Sequence, residues 1–325
     1  MALAQANLQC EDRCQLVSGP LSNIVPNGPS GVFVGIYDGH DGEICSQFVL
    51  DHLFNDLKTA ITNHNGHMDD GTVLQEAYLS TEHLFLELVR RNWERIPKLA
   101  SMGSCCLSGL VHGNKLYVAN AGDSRAVVAR WADGEGQPHI QQLSTDHNAN
   151  DEAIRNELSA EHPDDPDLFR VVNGSYRVRS RIQVTRAIGD EYLKSNEFNR
   201  DPLEARYRQE RPIIRPILKA LPTIQSYDLE PNDRFVIFGS DGLWNEVSND
   251  EAVSIVKGSS RYGAAKALLK EALDKAGNRN NLQYRDLVKL PLPDKRYHHD
   301  DISIVVLFFD NLPEPVIHQT LTVEV

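Results

Sequence analysis

A run of apolar residues long enough to cross a bilayer is missing from this chain, so no transmembrane helix is expected. The first residues, MALAQANLQCED, lack the basic start and apolar stretch of a secretory signal. They also lack the Arg/Ser richness of a transit peptide, so no leader is expected. Cysteine is scarce. Cys10, Cys14, Cys45, Cys105 and Cys106 make an odd set of five, pointing to core thiols in a reducing compartment rather than a disulfide framework. None stands at ligand spacing from His298-His299, which sets a Cys/His zinc site aside. Basic residues are outnumbered, 33 against 46 acidic for a net charge of -13, and that balance argues against nonspecific nucleic-acid binding. Solenoid repeats and long low-complexity segments are missing as well.

What the chain does contain is 41% hydrophobic residues, enough for a sizeable core, and four acidic clusters at the ends of apolar runs. The clusters are Cys10-Glu11-Asp12, Tyr37-Asp38-Gly39-His40, Ser240-Asp241-Gly242 and His299-Asp300-Asp301. A single Asp-Gly dipeptide is usually a surface turn. Four carboxylate clusters beside buried strands need something to offset their desolvation, and one divalent cation or a pair is the usual solution. VFVGIYDGH and RFVIFGSDG share one pattern, apolar strand then Asp-Gly, which predicts two strands delivering Asp38 and Asp241 to one place. The carboxylates are too scattered for a twelve-residue calcium loop.

Strands are predicted over 32–37, 115–120, 126–130, 182–185, 235–238 and 302–309, each short, β-branched or aromatic, and bounded by Gly, Asn or Asp. Asn120-Ala121-Gly122-Asp123 reads as a hairpin connection. Helices are predicted from two faces, one marked by Val49, Leu53, Leu57 and Ile61 and another by Leu74, Ala77, Tyr78, Thr81, Phe85 and Leu88. Two more follow, one opened by a Ser248/Glu251 capping box and one marked by Ala265, Leu268, Leu269, Ala272 and Ala276. Strands and helices come in groups rather than in alternation, so the fold class is α+β, with packed antiparallel sheets and helices outside. One domain over 1–312 is expected, with a short or truncated first strand and a tail over 313–325. The Arg- and Pro-rich stretch 196–222 reads as a surface insertion, a solvated loop by default.

Six motifs in order make the chain resemble the metal-dependent Ser/Thr protein phosphatases of type 2C. They are CED (10–12), YDGHDG (37–42), ANAGDSRAV (119–127), VTRAIGD (184–190), GSDGLWN (239–245) and HDDISIVV (299–306). QANLQCED, LSTDHNAN, EHPDD, the 196–222 insertion, LQYRDL and YHHDDIS look like the plant clade D branch, which shares traits with pyruvate dehydrogenase phosphatases. The resemblance implies two antiparallel sheets sandwiched between helical layers. It also implies two Mg²⁺ or Mn²⁺ ions with a weaker third, and hydrolysis of phosphoserine or phosphothreonine by an activated water.

Residue by residue, the resemblance makes Asp38 the bridging ligand, with the Gly39 carbonyl beside it. Asp241 and Asp300 become ligands, Glu11 and Asp12 support the shell, Asp123 belongs to the third ion, and His40 is the general acid. Departures from the pattern are Asn7, where many members carry a phosphate-binding Arg, Asp41 for Gly, Asn245 for an acid and Asp301 for Asn. Arg13 or Arg186 is the candidate substitute phosphate contact. The implied partners are phosphoprotein substrates and small protein inhibitors, with the protein a monomer of the cytoplasm or nucleus, peripheral at the plasma membrane at most, and mitochondria less favoured. An inactive scaffold of the same fold, binding a phosphoprotein, is the competing reading.

Overall fold

Residue parity along the strands decides the layering of this protein. The computed structural model describes residues 1–22, 28–68, 71–131, 136–309 and 319–322. The first half holds β1 (Ala2–Ala4), β2 (Asp12–Pro20), β3 (Ser30–His40), α1 (Ile44–Asn63), α2 (Thr72–Asn92), β4 (Gly103–His112), β5 (Lys115–Ala121), β6 (Arg125–Arg130) and β7 (His139–Gln142). Then come α3 (Glu152–Glu161), β8 (Phe169–Val172), β9 (Ser175–Val178), β10 (Ile188–Gly189), β11 (Thr223–Asp228) and β12 (Asp233–Gly239). The last group is α4 (Asp241–Trp244), α5 (Asn249–Lys257), α6 (Ala264–Arg279), α7 (Tyr284–Leu287), α8 (Leu292–Lys295), β13 (Ile302–Phe308) and β14 (Gln319–Thr322).

One sheet runs β1-β13-β12-β6-β7 and the other β11-β5-β4-β3-β2-β14, with β10 beside β4. All these pairings are antiparallel. In β3, Phe33 and Tyr37 face α1 and α2, whereas Val32, Val34 and Ile36 face the other sheet. In β12, Phe235 and Ile237 face α5 and α6, whereas Val236 and Phe238 meet the apolar face of the sheet that contains β3. The result is helix, sheet, sheet, helix, the α+β sandwich that the grouping of elements predicts. The four predicted helix stripes are all present. Val49, Leu53, Leu57 and Ile61 bury against the sheet, and the Ser248/Glu251 capping box opens α5.

Three readings need correction. Residues 182–185 form only isolated bridges, Val178 with Ile182 and Asn148 with Val184, because the segment alongside, 147–149, is too short for a ladder and exchanges just two backbone hydrogen bonds with it, Ala149 to Gln183 and Thr185 to His147. The Asn120–Asp123 connection is not a hairpin, since β5 and β6 lie in different sheets. The buried Asn120 amide holds this crossover in place by donating to the carbonyls of Gly122, Ser124 and Thr145. The true hairpin is β4–β5, closed by Gly113-Asn114 with Gly113 at φ 57°.

The insertion is not a solvated loop either. Phe198, Leu203, Tyr207, Ile213, Ile217 and Leu218 are buried in the same apolar core that α1 and α2 face, and Trp93 packs edge-on against Phe198 at 5.2 Å. Within the expected tail, β14 pairs with β2, and the other residues of 313–325 lie outside the described residues. The segment before β2 also has support, because β1 pairs with β13.

Tyr78, on α2, sends its hydroxyl to the backbone carbonyls of Cys106 and Ala119 at 3.2 and 3.0 Å in a fully buried site. Tyr78→Phe should lower stability by about 1–3 kcal/mol, the range for leaving buried partners unpaired. Chemical denaturation would show a lower midpoint with an unchanged slope, and an unshifted midpoint would mean these bonds carry no net weight.

Candidate metal and acid–base site

The parity that packs Val34 and Ile36 between the sheets continues to Asp38, so its carboxylate emerges at the end of the inter-sheet layer. Antiparallel pairing sets Asp12 directly opposite Asp38. Asp241 opens α4 at the end of β12, Asp300 precedes β13, and Asp123 sits on the β5–β6 crossover. One carboxylate oxygen each from Asp38, Asp123 and Asp241 lies within 4.8 Å of the others. Glu11, Gly39, His40 and Asp300 line the same cavity, of about 680 Å³. Asp12 stands behind them, 1% exposed. Gly39 is fixed by a close approach, since a Cβ there would meet the Glu11 carbonyl at 2.6 Å and the Ser46 hydroxyl at 2.8 Å.

Left to themselves these groups resist ionisation. Burial, then Asp12, Asp241, Asp300 and Asp123, hold Asp38 well above the usual carboxylate range. Burial followed by Asp123 and Asp300 pushes Asp241 up to about 8. Asp12 is raised by burial, Asp301 and Asp300, and its Oδ2 has no hydrogen-bond partner among the described residues. A set of hard oxygen donors, mutually repulsive and with an orphaned buried oxygen, fits Mg²⁺ or Mn²⁺. A cation reverses the sign of each of these repulsions.

His40 meets the carboxylate of Asp190 at 2.8 Å, and Asp190 is fully buried. Burial alone would lower the His40 pKa, but the charge and hydrogen bond of Asp190, with Asp41 and Glu11, raise it. The pair depends on Gly103, where any Cβ would collide with both side chains. Glu82, from α2, accepts from the Gly189 amide at 2.9 Å and from buried Lys194 at 2.5 Å, bracing the residues around Asp190. The sequence reading gave Asp190 no role. The only available signal was its place at the end of VTRAIGD.

Each departure from the family pattern has a structural partner. Asp301 accepts the amides of Ala6, Asn7 and Glu11 at 2.6, 3.0 and 2.7 Å and tethers the N-terminal loop. Asn7 lines the cavity, but its amide is spent on Glu11 and Asp301. The Asn245 amide donates to Asp241 at 3.1 Å. Asp41, at φ 60°, accepts the Tyr207 hydroxyl of the insertion at 3.0 Å. Neither Arg13 nor Arg186 reaches the cavity. Arg13 is held by Gln47, Glu43 and the Cys10 carbonyl, and Arg186 by Glu157 and the Leu221 carbonyl. The cations that do line it are Lys98, Arg177, Arg181, Arg206 and Arg296.

Comparison with known proteins gives one consistent answer. The family profile described as protein phosphatase 2C matches residues 3–281. The chain is 46% identical over 310 residues to probable protein phosphatase 2C 79 of Arabidopsis thaliana, covering 95% of this chain and 80% of that one. It is 44% identical over 311 residues to probable protein phosphatase 2C 28 of Oryza sativa subsp. japonica, covering 96% and 77%. Among solved structures, the Toxoplasma gondii serine-threonine phosphatase 2C superposes with a TM-score of 0.62 at 16% identity, over 95% of this chain and 98% of that one. A C. elegans sex determining protein superposes at 0.65 and 16% identity, with this chain covered to 97% and that chain to 64%. At that identity the likeness is one of fold.

The His40–Asp190 pair is directly measurable. Removing the charge in Asp190→Asn should lower the His40 pKa of the metal-free protein, because the carboxylate is what favours the imidazolium. NMR titration of the ring protons checks this, and an unmoved midpoint would mean that the pair does not form.

Proposed function

The chain belongs to the protein phosphatase 2C family of metal-dependent serine/threonine phosphatases, and we propose that its own carboxylate centre performs that reaction through the residues described above. The observation that carries the assignment is the convergence of Asp38, Asp123 and Asp241 within 4.8 Å, in one cavity with the His40–Asp190 pair. Every expected ligand is present, so an inactive scaffold is not favoured. Glu11, Asp12, Asp38, the Gly39 carbonyl, Asp241 and Asp300 would hold two ions, and Asp123 a weaker third. When bound, Mg²⁺ or Mn²⁺ supplies positive charge for the phosphoryl oxygens and makes water acidic enough to act as nucleophile near neutral pH.

The remaining work falls to the chain. His40, whose imidazolium form Asp190 favours, gives its proton to the departing serine or threonine oxygen, and Asp190 keeps the ring aimed. Asn245 offers an amide where an acid would add negative charge, which weakens the hold on the third ion. The substrates are phosphoproteins. A monomer of the cytoplasm or nucleus, peripheral at the plasma membrane at most, completes the reading, and the motifs that resemble clade D support small protein inhibitors as its regulators.

Purified protein should release phosphate from a phosphothreonine peptide only with Mn²⁺ or Mg²⁺ added, and Asp38→Ala should reduce this to background. Undiminished turnover in excess EDTA would overturn the assignment. His40→Ala should slow phosphopeptide hydrolysis by roughly 10²–10⁴-fold, the usual contribution of a positioned general acid. Hydrolysis of p-nitrophenyl phosphate, whose leaving group needs no proton, should fall far less. Equal losses on both substrates would mark His40 as structural.

A further inference from the structure

The chain carries 46 acidic against 33 basic residues, yet five basic side chains line the cavity that holds its carboxylates. Lys98, Arg177, Arg181 and Arg206 all line it, and they come from three separate segments. Lys98 lies in the turn before β4. Arg177 is on β9, and Arg181 follows it. Arg206 belongs to the insertion. Among the described residues, neither Lys98 nor Arg181 has a carboxylate partner or a side-chain hydrogen bond. Arg177 uses one guanidinium nitrogen on the Arg181 carbonyl at 2.8 Å. The Glu204 partner of Arg206 is itself more than half exposed, as is Arg206, so that pair has little hold on the guanidinium. Arg296, the fifth cation, is committed to Asp300 and is left out of the argument.

The wall is also built rather than incidental. Arg179 and Ser180 take left-handed backbone at φ 47° and 62°, so the chain folds back between Arg177 and Arg181. Arg179 turns inward onto Asp165 at 2.6 Å, where both are nearly buried, and Arg155 stacks on Tyr176 at 3.9 Å. These contacts pin the β8–β9 ribbon. The Tyr207–Asp41 hydrogen bond and the edge-on packing of Tyr207 on Tyr192 at 5.6 Å fix the backbone next to Arg206, which lines the cavity.

Resting on the phosphatase reading above, we propose that this basic rim selects phosphorylation sites flanked by further anionic groups, with Lys98 and Arg181 as the specificity-determining residues. The reacting phosphate goes to the carboxylate-held ions, while a second anion on the same peptide meets the rim. Flanking aspartate or glutamate and a second phosphoresidue offer the same chemistry, so the experiment separates them.

The test compares phosphothreonine peptides of equal length with neutral flanks, with Asp/Glu flanks, and with an added phosphoserine, using wild-type protein with Mn²⁺. kcat/KM for the anionic peptides should exceed that for the neutral one by about tenfold, the low end for charge-focusing clefts. The advantage should shrink as salt shortens the screening length. Whichever anionic peptide gains more identifies the flanking group. In the Lys98→Ala/Arg181→Ala double variant the anionic-to-neutral ratio should fall toward one. A wild-type ratio near one overturns the proposal. So does an equal loss on every peptide in the double variant, which would place these cations on the reacting phosphate instead. Mn²⁺-dependent hydrolysis of p-nitrophenyl phosphate by the wild type reports on the phosphatase reading separately, so either idea can fail alone.

Discussion

Mutual repulsion among carboxylates held out of water is the constraint around which this protein is organised. Asp12, Asp38, Asp123, Asp241 and Asp300 come from both sheets and from opposite ends of the chain, and without a cation several of them resist ionisation. The sandwich solves a placement problem. In β2 and β3 the alternation that sends Cys14, Val34 and Ile36 into the inter-sheet layer delivers Asp12 and Asp38 at the strand ends, directly opposite each other. In these two strands the core and the site are one periodic pattern whose residue type changes at its last position, so this part of the metal site is tied to correct sheet register.

That periodicity explains what was legible in the sequence. The outer helices show clear apolar stripes, and Asp-Gly after an apolar run marked both central strand ends. β4 was missed because Gly103–His112 is buried on both faces, so it has no alternation, and its Gly, Ser and Cys residues have weak strand preference. The β5–β6 crossover looks like a hairpin because the local chemistry of Asn-Ala-Gly-Asp is turn chemistry. Which sheet the next strand joins is a tertiary fact that no four-residue window holds. The insertion was misread for a related reason. Its prolines and arginines suggested exposure, while Phe198, Leu203, Ile213 and Ile217, too irregularly spaced for a helix or strand, bury into the core.

The site was legible in its ligands but not in its supports. Asp38, Asp241 and Asp300 announce themselves by context. Asp190, Gly103 and Glu82 matter through contacts made across long sequence separations, and their roles emerge only when β10, β4 and α2 are brought together. Asp41 and Tyr207 show the same dependence. An acid in a glycine-favouring conformation looks like a blemish in the motif until a tyrosine 166 residues away is seen to be its partner.

The Asp301 tether has a consequence for how the protein is made. Its carboxylate gathers the amides of Ala6, Asn7 and Glu11, while β1 pairs with β13. Residues 2–11 thus find their anchor only once residues 300–304 have been made. Until then Glu11 and Asp12 have no tethered loop to stand on, and the centre lacks Asp300. Metal binding by this site is therefore tied to docking of β13, the partner of both β1 and β12.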